Sequence, residues 1–147
     1  MRSSLVVIDA SVAVKAVLPN PLQAACLALI RTFDEVQPVA PALWAYETTS
    51  AIGKAVYFGE ITEKEGRQAL EKLDGLGVRL FVADADQNRA AFGWTLRLRR
   101  ASAYDSYYLV LAEALESEFW TADQRLFHAL KDIGVDWLHW IEEQTLD

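Results

Sequence analysis

Leu5-Val6-Val7-Ile8-Asp9-Ala10-Ser11 sets four apolar, β-prone residues against an acid and two small residues. An unbroken apolar run of this length is what a strand buried on both faces of a parallel sheet carries, whereas a half-solvated strand alternates. Ser11 is of the type that caps the helix expected to follow. Outward from this junction, residues 23–33 carry apolar side chains at helical spacing. Residues 36–40 read as a weaker second strand, which Pro38 marks as an edge or irregular one. Residues 43–57 and 62–73 read as two helices joined by Phe58-Gly59-Glu60, the second opened by a Thr62/Glu65 capping box. Residues 78–82 form a third strand, and Asp84 caps a helix that runs to about Arg99. A helix over 103–115, a strand over 119–121, a helix over 123–130 ended near Gly134, and a last strand over 135–138 complete the pattern. Strands alternating with helices predict an α/β fold with a mainly parallel central sheet.

The 147 residues suit one domain over 1–147, with no repeat or Gly/Ser/Pro-rich linker to divide them. A hydrophobic share of 52% is well above what a disordered chain carries, so a folded core is expected. No segment approaches the roughly 18 uninterrupted apolar residues of a membrane span. Met1 to Ile8 resembles the front of an export signal, but Asp9 and then Pro19-Asn20-Pro21 cut it short, so export is rejected. The lone Cys26 has no internal disulfide partner, which fits a reduced, cytoplasmic setting. The net charge of −7 excludes a broad basic face for nucleic acid and leaves room only for a local basic strip or bound cations.

Four acids stand where solvated acids are not expected. Asp9 and Asp123 each follow a strand, at the carboxyl edge where open parallel sheets bind ligands. Glu47 has Leu43, Trp44 and Ala51 as its helical neighbours, and Asp105 shares a face with Tyr108, Leu109 and Ala112. Taken singly, Asp9 and Asp123 are best read as helix caps and Asp105 as a complement to a helix dipole. Glu47 has the weakest such reading, because an isolated carboxylate on an apolar face is costly. Together they tell more. Two carboxylates about 5 Å apart repel by about 3 kcal/mol at an effective dielectric near 20, so a cluster needs a cation. All-oxygen ligands suit Mg²⁺ or Mn²⁺, and with two histidines and one cysteine zinc is disfavoured.

The segments 6–15 (VVIDASVAVK), 43–47 (LWAYE), 103–113 (AYDSYYLVLAE) and 119–126 (FWTADQRL) resemble, in order and spacing, the PIN-domain ribonucleases. Within these they are most similar to the VapC toxins of bacterial and archaeal toxin–antitoxin pairs, over nearly the whole chain. The resemblance implies a three-layer α/β/α sandwich, Mg²⁺- or Mn²⁺-dependent endonucleolytic cleavage of RNA, a homodimer, and a cognate VapB-like antitoxin that blocks the site. It makes Asp9, Glu47, Asp105 and Asp123 the acidic quartet and Ser11 and Thr121 the hydroxyls of the same pocket. For both hydroxyls a helix cap or a strand-end hydrogen bond is an equally good local account. The implied chemistry is in-line attack of water on phosphorus with loss of the 3′ oxygen, the cation offsetting charge. Asp9, Asp105 and Asp123 are then the expected direct ligands, with Glu47 a fourth ligand or the group that orients the water.

One departure stands before Asp105. Arg97-Leu98-Arg99-Arg100-Ala101-Ser102 occupies a place where relatives often carry a Gly-containing turn. Arg97, Arg99 and Arg100, with Lys15 and Lys54, are candidate phosphate contacts, though a solvated helix end explains the arginines as well. Other classes fit worse. A receiver domain, with Asp84 as phosphoacceptor, needs an acidic pair after the first strand and a lysine after the last, and neither is present. A haloacid-dehalogenase-like phosphatase needs a second Asp where Ser11 stands. A catalytically silent PIN-fold module that binds RNA or protein is the remaining alternative, and a cleavage assay separates it. The aromatics Trp44, Tyr46, Tyr57, Phe58 and Trp94 are assigned to the core or to a protein interface.

Overall fold

The computed structural model describes residues 4–146; Met1 to Ser3, the front of the rejected export signal, lie outside that range. The strands are Leu5–Ile8 (β1), Gln37–Pro41 (β2), Arg79–Phe81 (β3), Glu118–Thr121 (β4) and Leu138–Trp140 (β5). The α-helices are Ala10–Val17 (α1), Gln23–Ile30 (α2), Leu43–Tyr57 (α3), Glu63–Asp74 (α4), Ala85–Leu98 (α5), Tyr104–Leu115 (α6) and Gln124–Asp132 (α7). All pairings are parallel and the sheet order is β3-β2-β1-β4-β5. β1 is therefore the central strand, which is why it has no polar alternation. Val7 enters the core shared with α3, α5, α6 and α7, while Val6 and Ile8 enter the one shared with α2. Both faces of the sheet are covered by helices, as the α/β/α expectation requires. Among the described residues no helix is long and apolar enough to cross a membrane.

From β1 the chain moves outward to β2 and β3, then returns to β4 on the other flank of β1. Helix α2 packs on the Val6 and Ile8 side, whereas Leu126 and Leu130 of α7 pack on the Val7 and Phe119 side. The chain thus runs from β1 to one flank of the sheet and continues from β4 to the other, so the carboxyl ends of these two neighbours form a switch point, where open parallel sheets bind ligands.

Several local expectations are corrected. Strand β2 is internal, and β3 is the edge strand. Gln37 N donates to Ser4 O on the β1 side, so by alternation the nitrogen of Pro38 faces the other way. The β3 ladder begins only opposite Val39, so no ladder bond is lost at Pro38. The side chain of Gln37 closes the gap by donating to Pro38 O and Gly77 O. The helix expected over 23–33 ends at Ile30 and tightens into a 3-10 turn, Arg31–Asp34. The last strand lies at Leu138–Trp140 rather than 135–138, because Val135 N still closes α7 by bonding Leu130 O. Ser11 is not an N-cap: α1 begins one residue before it, at Ala10. Trp44 and Trp94 are buried, but Tyr46, Tyr57 and Phe58 are largely exposed and belong to the surface. The capping boxes at Thr62/Glu65 and Asp84/Gln87 form, the first as expected and the second completing the Asp84 cap.

Candidate active site

Asp9 is the most deeply buried of the four acids. It ends β1, is only 6% exposed, and although it occupies the N-cap position of α1 it makes no side-chain cap bond. Its Oδ2 accepts instead from Ser11 Oγ at 2.7 Å and from Thr121 Oγ1 at 2.8 Å. Both hydroxyls are fixed in turn by backbone N–H groups of the β4 end: Ala122 N donates to Ser11 Oγ and Asp123 N to Thr121 Oγ1. The expectation that Ser11 and Thr121 share a pocket with Asp9 is met, and the capping role for Ser11 is not.

Asp123, at the end of β4, is half-buried and does cap: its Oδ1 accepts from Arg125 N and Leu126 N at the start of α7. Asp105 lies in the first turn of α6, half-buried, with Arg100 Nη1 at 3.7 Å from its Oδ2. Glu47, on α3, accepts at Oε1 a 2.7 Å hydrogen bond from the phenol of Tyr108 on α6. Tyr108 is fully buried and was not a candidate. Its position, one helical turn after Asp105 on the same apolar face, was the available signal.

The charges of Asp105 and Asp123 act on the other acids. Asp9 has its pKa pushed up to about 7, chiefly by burial, with the hydroxyls of Ser11 and Thr121 working against the charges of Asp105 and Asp123. Glu47 is raised by burial, which the Tyr108 bond offsets and the charge of Asp105 reinforces. Asp105 is raised by burial, with Arg100 lowering it and Asp123 raising it. Asp105 is thus the common neighbour of the group. The acids do not close side chain to side chain: among the described residues no three His, Cys, Asp or Glu stand together as a ready-made cation cage. An oxygen-only set that is mutually repelling and only partly neutralised by Arg100 still fits a hard cation. Mg²⁺ commonly takes one or two carboxylates and completes its shell with water and substrate phosphate.

The basic candidates divide. Arg100 reaches Asp105, whereas Lys15 Nζ donates to Ala122 O at 2.8 Å and pairs with none of the four acids among the described residues. Arg97 stacks over the Trp94 ring at 4.3 Å, and Lys54 and Arg99 are exposed. Arg99 makes the turn between α5 and Arg100. It adopts φ 54°, ψ 43°, a left-handed conformation that costs a side-chain-bearing residue about 1–2 kcal/mol, and the next residue is Arg100. A separate cleft of about 260 Å³ between α3 and α4, lined by Trp44, Thr48, Leu70 and Asp74 among others, contains none of the four acids.

The five-stranded, all-parallel sheet with helices on both faces is a PIN-like α/β fold. The crystal structure of Mycobacterium tuberculosis VapC20, a Sarcin-Ricin loop cleaving toxin, is similar to this chain with a TM-score of 0.61 and 14% sequence identity. The match covers 84% of this chain and 94% of that one, and at this identity it speaks for the fold. Neither a protein-family model nor a curated protein matches the chain by sequence.

Proposed function

We propose that this chain is a PIN-type endoribonuclease, one domain over 1–147, that cleaves RNA with Mg²⁺ or Mn²⁺. In this reading it acts in the cytoplasm as a VapC-like toxin, is a homodimer, and is neutralised by a VapB-like antitoxin. The observation that carries the reading is electrostatic: acids from β1, α6 and β4 act on one another, and Glu47 of α3 joins them through Asp105. Unlike charges assembled for stability, these are held near one another against repulsion, the pattern of a cation and phosphate site.

Asp9, Asp105 and Asp123 are the proposed cation-holding residues, with Glu47 a fourth ligand or the residue that orients water. When bound, the cation supplies charge against the phosphate and lowers the pKa of a water. The chain's own contribution is placement. Ser11 and Thr121 commit Oδ2 of Asp9, and among the described residues its Oδ1 has no hydrogen bond. Capping commits Oδ1 of Asp123 in the same way. Arg100 offsets part of the charge of Asp105 and is the best-placed arginine for a phosphate. Lys15, Lys54, Arg97 and Arg99 are proposed to guide the strand, so binding to a chain of charge −7 should weaken steeply with salt.

The test is cleavage of total RNA with Mg²⁺ or Mn²⁺, with excess chelator, and by Asp9→Asn. Cleavage is expected only from the native protein with the cation, and mapping the cut ends identifies the RNA. Activity that survives chelation or the substitution refutes the proposal. Binding without cleavage establishes the silent-module alternative instead.

A further inference from the structure

We infer that Tyr108 is a positioning residue for Glu47, holding one carboxylate oxygen so that the other is presented to the reacting groups; this rests on the nuclease reading above. Tyr108 is fully buried, and a buried phenol needs a partner for its hydroxyl. The partner is Glu47 Oε1 at 2.7 Å, 61 residues away in sequence. The ring is held independently of that bond. It packs against Phe119 of β4 with centroids 5.9 Å apart. The ring is therefore fixed relative to β4, and Glu47 is tied to it through the hydroxyl.

The other three acids each have polar partners of their own. Asp9 has Ser11 and Thr121, Asp123 has the first N–H groups of α7, and Asp105 has Arg100. Glu47 is the member with an additional rotatable bond, and so the one whose carboxylate most needs an external fix. In the Tyr108–Glu47 hydrogen bond the phenol donates and the carboxylate oxygen accepts. Among the described residues Glu47 Oε2 makes no hydrogen bond, which leaves it available to a cation or a water.

The test compares the native protein, Tyr108→Phe, Glu47→Gln and the double variant. Tyr108→Phe keeps the ring and its packing and removes only the hydroxyl. It is expected to lower kcat or Mn²⁺ affinity by roughly 10–100-fold, as loss of a supporting hydrogen bond to a ligand does, with KM for RNA little changed. In the Glu47→Gln background the same change should cost nothing further. Side-chain NMR of the native protein should show Glu47 in a single rotamer, a readout that needs neither a variant nor activity. Native kcat and Mn²⁺ affinity in Tyr108→Phe, losses that multiply in the double variant, or a native Glu47 averaging over rotamers would each overturn the inference. If the native protein cleaves no RNA while Tyr108→Phe still frees Glu47 and weakens Mn²⁺ binding, the positioning role holds and the nuclease reading fails.

Discussion

The carboxyl ends of β1 and β4 each place an aspartate immediately before a helix, and the two are used in opposite ways. Asp123 gives its carboxylate to Arg125 N and Leu126 N, satisfying donors that every helix start leaves open. The Asp9 carboxylate accepts from no backbone N–H of α1 and takes two hydroxyls, of Ser11 and Thr121, in a nearly closed site. What separates them is depth. β1 is central, so its end is roofed by α1 and by the β4 end, while the end of β4 opens toward α7 and solvent. A carboxylate on a central strand loses its water, and only the hydroxyls of Ser11 and Thr121 replace part of it. The same sequence position therefore yields a structural cap in one strand and a strained acid in the next.

The largest test of that contrast is pH-dependent stability. The pKa of Asp9 rises from 3.8 to about 7 on folding, so its contribution is fully present below pH about 4 and is lost as pH rises through 7. By pH 8 the native protein should have given up as much as about 4 kcal/mol on this account, at 1.36 kcal/mol per unit. In Asp9→Asn the corresponding slope between pH 4 and 8 should vanish, leaving the variant the more stable protein at pH 8. Denaturant unfolding at the two pH values measures it, and parallel profiles for the two proteins would show that Asp9 is not strained.

Next in size is the effect of the cation. Mn²⁺ at a hundredfold excess over its Kd should stabilise the native protein by about 2.7 kcal/mol, read as a rise in Tm. Asp9→Asn and Asp105→Asn should show no such rise. An equal rise in all three would move the cation away from these acids.

Smallest is the cap. Asp123→Ala should cost about 1 kcal/mol of stability, and Asp123→Asn nearly nothing, because Asn caps as well as Asp. Both should lose cleavage. If Asp123→Asn cleaves normally, Asp123 is a cap and no more, and the contrast with Asp9 becomes complete.

Much of this was legible in the sequence where the cause is local. The Thr62/Glu65 box and the Asp84 cap involve partners three residues apart, and both form. The apolar run before Asp9 identified a buried parallel strand because no other setting tolerates it. Pro38 misled because a proline reports only that one N–H is absent, and whether a neighbour needs that N–H depends on where β3 begins. Ser11 misled for a similar reason. Its residue type fits a cap, but Asp9 and Ala122 N, the latter 111 residues away, are its partners. Arg99 shows the reverse, a turn kept without the glycine that usually marks it.

By itself the sequence determined the order of strands and helices, the Thr62/Glu65 capping box, the Asp84 cap, and the presence of acids on apolar faces or at strand ends. These follow from periodicity and from contacts within a helical turn. The tertiary structure alone decided that β4 returns beside β1, which brings Thr121 to Asp9, and that α6 delivers Tyr108 to Glu47. Such meetings join residues 61 and 112 positions apart. They depend on the whole sheet order, since only the burial of every strand and helix together fixes which side chains end up facing one another.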